Sequence, residues 1–451
     1  MSSKTLDKMR AGLHNLGCKV NSYEIQVMTG LLKEAGCRIV DFEDEADIYI
    51  VNTCSVTNIA DRKSRQMLHR AKKRNPGALV IAAGCYVQGR DADEVMNDGV
   101  DLIIGNDNKG KLIELIEDYF EKNKRFALND MSVKRPYEDM ELKETGERTR
   151  AYIKVEDGCD QFCSYCIIPF LRGRVRSRSA EDTVREIEGL GGAYPEIVLT
   201  GINLSAYGRD LERGSLLELI KRINEIPDIR RIRISSLEPR IVTKEFAGEL
   251  AAMPKVCPHF HLSLQSGCDR TLKRMNRHYS AGEYREAAEL LRAEFLKARG
   301  AVPALTTDVI AGFPGETEED FEECFSFLRD LALFETHIFK YSVRKGTAAA
   351  KMEGQLTDRE KSIRSERLIA LGEENRRKFI DELIKNETYE PELLVEEYYG
   401  SEGDFYQVGH TGEYVKAVIS SKEDLRGKTV KGRLKWWEDK DICIMRRFEV
   451  K

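Results

Sequence analysis

Three cysteines fall within eight residues of one another in the run "GCDQFCSYCIIPF": Cys159, Cys163 and Cys166. Disulfides pair thiols in twos and a structural zinc site wants four ligands, so a trio at this density fits neither. The x3, x2 spacing lets one loop wrap three corners of a [4Fe–4S] cube and leaves the fourth iron open to chelate a small molecule. A zinc knuckle short of its fourth ligand and a redox pair with a spare thiol compete for the same residues. A second trio is spread through the first hundred residues. Cys18, Cys54 and Cys85 each end an apolar stretch, "AGLHNLGC", "ADIYIVNTC" and "ALVIAAGC". If those stretches are parallel strands, their carboxyl ends share the sheet edge where open α/β folds bind ligands, and the three thiols converge there; three buried packing cysteines are the plainer alternative. Cys37, Cys257, Cys268, Cys324 and Cys443 have no mutual spacing and read as packing residues. The histidines show no pattern for a nucleophilic triad, and "GFPGE" lacks the Gly-Lys-Ser/Thr end of a phosphate loop.

The elements that must position these thiols follow from the hydrophobic pattern. Residues 1–133 repeat an apolar stretch, a turn and an amphipathic helix, which favours an α/β domain with a parallel sheet. The polar stretch 134–148 reads as a linker. Residues 149–355 carry six further apolar segments with helices between them, two short of a closed eight-stranded barrel, so an open, partial (β/α)6 barrel of the TIM type is expected, with chemistry at its C-terminal strand ends. Cys159, Cys163 and Cys166 occupy the loop after the first of these strands. Polar residues in the later loops, Asn203, Ser235, Glu238, Gln265 and Asp308, are candidates to hold a small-molecule cofactor. Residues 356–387 read as a charged helical connector of one helix or two. The last segment, 388–451, alternates in short runs and predicts a small antiparallel β-barrel, an architecture that often holds oligonucleotides. Tyr406, Tyr414, Trp436 and Trp437 beside Lys416, Lys431 and Lys435 form a candidate RNA surface there, or fill its core.

Composition sets the class. With 451 residues, 41% of them hydrophobic, and a net charge of -5, the chain is globular and is no uniformly basic coat protein. No apolar run reaches the ~20 residues of a membrane span, nor does the N-terminus read as a signal peptide, so a cytoplasmic location with no membrane partner is expected. Two local basic patches stand out, "RKSRQMLHRAKKRN" from Arg62 to Asn75 and "RGRVRSR" with Arg172, Arg174, Arg176 and Arg178 directly after the cysteine trio. Each reads as a solvated face or as a polyanion contact, and their place beside the cysteines favours RNA contact; no DNA partner is expected.

A C-x3-C-x2-C loop after a first barrel strand resembles the radical S-adenosylmethionine superfamily. The resemblance implies that the open iron chelates S-adenosylmethionine, that reductive cleavage yields methionine and a 5′-deoxyadenosyl radical, and that Tyr165 covers the adenine. The stretches "LGCKVNSYE", "NTCSVTNIADRKSRQ" and "GCYVQ" ahead of such a barrel, with a small β-barrel after it, are similar to the methylthiotransferases over almost the whole chain. That implies a second [4Fe–4S] cluster on Cys18, Cys54 and Cys85 and a substrate-binding C-terminal TRAM domain. "GCDQFCSYCIIPFLRGRVRSR", "LTGINLSAYG", "HLSLQSGCDRTLKRMNRHY" and "FKYSVRKGT" resemble the branch acting on N6-threonylcarbamoyladenosine of tRNA. Methylthiolation of adenine C2 beside the anticodon is implied, one S-adenosylmethionine giving the methyl group and another the radical, with a flavodoxin- or ferredoxin-type electron donor. Asn203 stands where the resemblance leads one to expect His, and Ala349 where it leads one to expect Pro. Sister enzymes acting on isopentenyladenosine of tRNA or on an aspartate of a ribosomal protein, and a non-catalytic iron–sulfur RNA-binding protein, are the alternatives.

Overall fold

The computed structural model describes residues 6–144, 149–399, 405–437 and 440–450. The runs "IYIVNT" and "LVIAAG" are buried on every residue, as strands must be when helices cover both faces of a parallel sheet. They are β3 (Ile48–Thr53) and β4 (Leu79–Gly84) of a six-stranded sheet with β1 (Arg10–Asn15), β2 (Arg38–Val40), β5 (Leu102–Ile104) and β6 (Phe126–Ala127), all parallel. The order β2-β1-β3-β4-β5-β6 reverses between β1 and β3. At such a switch point the crossovers leave toward opposite faces and a crevice opens beyond the strand ends. Helix α1 (Lys19–Glu34) starts from Cys18 after β1, and helix α2 (Asn58–Arg74), capped by the Thr57 side chain, follows Cys54 after β3.

The central domain has the six barrel strands read from the sequence: β7 (Arg150–Lys154), β10 (Glu196–Thr200), β11 (Arg231–Ile234), β12 (His259–His261), β13 (Ala304–Ala311) and β14 (Glu335–Lys340). They form two parallel sheets, β7-β10-β11 and β12-β13-β14, joined through bridges at Ile232–Val256 and Leu237–Leu262. Among the described residues β7 and β14 remain edges, so the barrel is open. A short antiparallel pair, β8 (Glu156–Asp157) with β9 (Arg176–Ser177), was not legible in the sequence; it clamps the two ends of the cysteine loop.

The segment read as a linker is instead a strap. Met140 and Leu142 are buried in the barrel core, the Tyr23 hydroxyl donates to the Met140 carbonyl at 2.7 Å, and the Tyr137 hydroxyl donates to the Lys154 carbonyl at 2.7 Å. Two buried apolar side chains and a few hydrogen bonds suffice to hold an irregular segment down, and they leave no periodic signal. Residues 145–148 lie outside the described residues. The connector is one 28-residue helix, Asp358–Lys385, opened by a capping box of Thr357 and Glu360. It also packs on β14, whose Thr336 sits where a Cβ on Gly372 would be 2.4 Å away. The TRAM-type barrel that follows is closed: β15 (Glu392–Tyr398), β16 (Tyr406–Thr411), β17 (Lys416–Ser420), β19 (Cys443–Val450) and β18 (Thr429–Trp436), in that spatial order, antiparallel except between β17 and β19. It sits under the central barrel, where Arg231 donates to the His410 carbonyl at 3.1 Å and Arg233 to the Gly412 carbonyl at 3.0 Å. No helix among the described residues is long and apolar enough to cross a membrane.

A buried ionic network joins the first two domains. Glu24 of α1 lies 3.0 Å from Arg172, 3.0 Å from Lys109 and 3.5 Å from Lys154, and Asp157 lies 3.0 Å from Arg172, 3.3 Å from Lys154 and 3.5 Å from Arg176, all at almost no exposure. Burial raises the Glu24 carboxyl, but Arg172, Lys109 and Lys154 outweigh it and bring it down to about 2. A depressed carboxyl stabilises fully above its ordinary value of 4.5 and loses that contribution as pH falls toward 2. Glu24→Gln leaves Arg172 and Lys109 undercompensated in the interior and is expected to cost about 3–5 kcal/mol at neutral pH, read from the denaturant midpoint, with the deficit shrinking below pH 4. An unchanged midpoint would mean that the network does not hold the domains together.

Candidate active site

The cysteine loop starts at Gly158, whose φ of +83° and missing Cβ let the backbone pass where a Cβ would stand 2.1 Å from the Arg174 carbonyl. Its conformation is held from several elements. Ser164 donates its N–H to the Met275 carbonyl and its hydroxyl to the Arg274 carbonyl, each at 2.9 Å, and Asn276 Nδ2 donates to the Phe162 carbonyl at 3.0 Å. Phe162 is left-handed at φ 48°, a conformation that costs about 1 kcal/mol or more for such a residue. The strain places its ring edge-on to Phe170 and 4.5 Å below the Arg174 guanidinium. Arg277 donates to the Cys163 sulfur at 3.1 Å and pairs at 3.1 Å with Glu238, which also accepts from Gln161 Nε2 at 2.9 Å. Burial, and then the other thiols of the trio, push Cys159 up to about 12; burial and Cys163 push Cys166 up to about 12.

The second trio is brought together by the switch point. Gly17, at φ +106°, passes so close to Cys54 that a Cβ would lie 2.9 Å from its Cβ and 3.0 Å from its sulfur. Cys85 accepts from Asn106 Nδ2 at 3.5 Å, and Asn106 also donates to the Leu171 carbonyl at 2.9 Å, within the helix Ile168–Arg172 that leaves the first trio. The Cys18 thiol donates to Asn21 Oδ1 at 3.5 Å, and the same oxygen accepts from Arg172 Nη2 at 2.9 Å. Burial raises Cys18, and Arg172 is the charge that most opposes the rise. Burial likewise brings Cys54 to about 12, with Cys85 and Cys18 adding to it. A second bridge ties the loop after Cys54 to the barrel: Arg344 donates to Asn58 Oδ1 at 2.8 Å, Asp61 Oδ2 at 2.9 Å and Ser55 Oγ at 2.7 Å. The two trios thus lie on either side of the seven-residue run from Cys166 to Arg172.

Three of the four arginines assigned to RNA belong to this framework instead. Arg172 is fully buried among Glu24, Asp157 and Asn21; Arg176 is buried against Asp107 and Asp157; Arg178 is buried against Glu186. A loop arginine carries the same letter whether it meets a phosphate or a buried carboxylate, and the acids that claim these three come from distant sequence. Arg174 alone stays exposed. The basic run 62–75 lies on α2, where Arg62, Lys63 and Arg65 face solvent in the first turns after the exposed Val56 and Ile59, and Lys73 faces solvent at the far end. Lys435 is exposed on β18, but Tyr414 faces the central barrel, with Arg233 4.7 Å over its ring, and Trp436 donates to Asp381 at 2.7 Å. Trp437 and Tyr406 do form a small aromatic face, with Lys440 4.5 Å over Trp437.

The candidate cofactor residues divide. Ser235 is buried at the end of β11 with a hydroxyl lacking any partner, a free donor and acceptor for a ligand. Asn203 is buried and its N–H donates to Glu156 at 2.7 Å. Tyr165 packs edge-on to Phe313 in a pocket with Met275 and Tyr341, whose hydroxyl is also unpartnered. Gln265 takes φ +73° and bridges Val309. Glu238 is committed to Arg277 and Gln161 and so shapes the cysteine loop. Asp308 is not in a strand-end loop at all but in the middle of β13, beside His261 at 3.6 Å. Arg277, Glu156 and Asn106 were missed by the sequence reading; the charged residues within "YIKVEDGC" were the one available sign that this strand end needed buried partners. The Ala349 N–H donates to the Ser164 carbonyl at 2.7 Å, a bond that a proline at 349 would remove, whereas Ala348 has the φ of −64° that a proline ring imposes. The departure at 349 therefore fits the turn.

Both trios suit [4Fe–4S] clusters. All eleven cysteines are free, each trio is gathered without a fourth thiol beside it in sequence, and each has a guanidinium, Arg277 or Arg172, to offset the charge of ligated thiolates.

Comparison with known proteins places the chain in a family. Residues 153–328 match the radical SAM superfamily, and residues 10–105 match a family described as uncharacterized protein family UPF0004. The chain is 39% identical to the threonylcarbamoyladenosine tRNA methylthiotransferase of Bacillus subtilis over 93% of this chain and 92% of that protein. It is 34% identical to a tRNA-2-methylthio-N(6)-dimethylallyladenosine synthase of Carboxydothermus hydrogenoformans over 93% of this chain and 94% of that one. The fold resembles the radical S-adenosylmethionine methyltransferase TsrM of Kitasatospora setae with a TM-score of 0.56 at 15% identity, covering 76% of this chain and 74% of that chain.

Thiols held near 12 are protonated at neutral pH, so each must release a proton to ligate iron, and ligation strengthens as pH rises. Anaerobic reconstitution at limiting iron is expected to give higher cluster occupancy at pH 9 than at pH 7, read as protein-bound iron. Equal occupancy would show that proton release from these thiols does not limit ligation.

Proposed function

The chain belongs to the radical S-adenosylmethionine tRNA methylthiotransferases, and on that premise we propose that it replaces the C2 hydrogen of N6-threonylcarbamoyladenosine, beside the anticodon of tRNA, with a methylthio group. The observation that carries this reading is the placement of two cysteine trios on either side of one short segment, Cys166 to Arg172, so that two clusters serve one substrate. The hydrogen on adenine C2 is too weakly acidic for a side-chain base near pH 7. Clusters bound at the two trios would supply reductive cleavage of S-adenosylmethionine at Cys159, Cys163 and Cys166, and a methylated sulfur at Cys18, Cys54 and Cys85.

The remaining work falls to the chain itself. Ser235 and Tyr341 offer unpartnered buried hydroxyls for S-adenosylmethionine, Tyr165 gives it an aromatic wall, and Asn203 lines the neighbouring strand end. Arg277 and Glu238, from two other loops of the barrel, hold the cysteine loop in shape. Solvent-facing Arg62, Lys63 and Arg65 on α2, Arg174 and the exposed ring of Phe170 surround the approach to the trios and suit a phosphate backbone with unstacked bases. Lys435 and the Trp437 face of the C-terminal barrel extend that surface. The enzyme would work in the cytoplasm and draw electrons from a flavodoxin- or ferredoxin-type donor.

Nucleosides of tRNA from cells lacking this protein should lose 2-methylthio-N6-threonylcarbamoyladenosine and accumulate the unmethylthiolated form, as read by mass spectrometry. Loss of the dimethylallyl derivative instead would move the enzyme to the sister reaction, and an unchanged profile would overturn the assignment. Purified Cys18→Ala should still cleave S-adenosylmethionine while forming no methylthio product; normal product formation would refute the division of roles between the trios.

A further inference from the structure

A cavity of about 210 Å3 lies inside the partial barrel, below the strand ends. That is less than the ~300–1,000 Å3 of pockets that enclose drug-sized ligands, and it has room for an amino-acid-sized group rather than a nucleoside. Alternate residues of three strands face it: His259 and His261 of β12, Thr306 of β13, and Glu335 and His337 of β14. Lys19 reaches it from the other domain, one residue after Cys18. Among the described residues Lys19 makes no salt bridge, while Arg150 and Arg233, which share the cavity wall, are committed to Glu196. His259 is buried with its Nδ1 unpartnered. His261 shares a hydrogen bond of 3.0 Å with Thr306 and, with Asp308 and His337, presents polar atoms within 4.8 Å of one another.

Such a cluster also has the ligand types of a small divalent ion. Glu196 offsets Arg150 and Arg233, and Glu335 adds a carboxylate to the wall, so Lys19, with no salt bridge among the described residues, is the cationic group left to meet a ligand that brings its own negative charge. The Lys19 ammonium, three imidazoles and the Glu335 carboxylate are set among the apolar surfaces of Tyr152, Val198 and Tyr414. An alkenyl arm placed there would cover the Lys19 ammonium and the buried His259 and His261 rings without pairing them, and sites built of such groups discriminate against ligands that cannot pair with them.

We propose that this cavity receives the threonylcarbamoyl arm of the modified adenosine, with Lys19 on its carboxylate and the His261, His337 and Asp308 cluster on its hydroxyl and urea groups. This rests on the tRNA substrate proposed above and makes Lys19 the residue that selects a carboxylate-bearing arm. Because Lys19 adjoins Cys18, the arm would be anchored one residue from the sulfur-bearing trio, which sets the distance from N6 to C2.

The test uses reconstituted enzyme and anticodon stem–loop RNA carrying threonylcarbamoyladenosine, the same nucleoside with its carboxylate as the methyl ester, or isopentenyladenosine. Esterification is expected to lower kcat/KM about 10–100-fold, the scale of one lost hydrogen bond to a charged group. Lys19→Met should impose the same loss on the acid and little further loss on the ester, while Lys19→Arg restores part of it; iron content checks that each variant holds its clusters. Equal losses on acid and ester would overturn the inference while leaving the substrate assignment intact. Wild-type enzyme that turns over only the isopentenyl RNA would overturn both.

Discussion

Arg172 is the residue on which the architecture turns. It is fully buried, and an ion taken out of water costs several kcal/mol unless its partners are close and complete. Both Nη atoms are met at close range, by Asp157 from its own domain and by Glu24 and Asn21 from the first, while Nε has no partner. Because each partner would be left undercompensated if the domains moved apart, the network locks the first domain against the mouth of the barrel. Arg344 repeats the arrangement at the other end of the interface through Asp61, Ser55 and Asn58. The same guanidinium that pins the domains lies in the field of Cys18 and Cys54, so the structural lock is also a counter-charge for the thiolates of the N-terminal trio.

Two unrelated folds here obey one rule. An open parallel sheet binds ligands beyond its carboxyl edge at the switch point, and a (β/α) barrel does so at the C-terminal ends of its strands. Cys18 and Cys54 sit at the first kind of place and Cys159, Cys163 and Cys166 at the second. The helix Ile168–Arg172 joins the two edges, through the Leu171 carbonyl to Asn106 and Arg172 to Asn21. The strap formed by Tyr137, Met140 and Leu142 and the long helix over β14 then fix the outer walls, while the C-terminal barrel closes the bottom through Arg231 and Arg233.

Much of this was legible in the sequence. Cysteines that end apolar runs declare both strand and edge, and the six barrel strands were visible because each is an apolar stretch bounded by turn residues. What stayed hidden depends on partners far away in the chain. Arg172, Arg176 and Arg178 looked like a polyanion site because nothing local reveals that Glu24, Asp107 and Glu186 will bury them. Met140 and Leu142 anchor the strap with too few residues to make a period. Asp308 was placed in a loop because a strand of eight residues, with a carboxylate facing the barrel interior, does not differ in pattern from a strand that ends early. Tyr414 was read as an RNA-facing aromatic or a filler of the small barrel's core, and instead meets Arg233 of the central domain.

The proposed reaction requires two open-iron sites, and the most direct measurement is the iron and acid-labile sulfide content of anaerobically reconstituted protein. Two [4Fe–4S] cubes give about eight of each per chain, falling to about four when Cys18, Cys54 and Cys85 are all replaced by alanine. A wild-type content of about four, unaffected by that triple replacement, would contradict it.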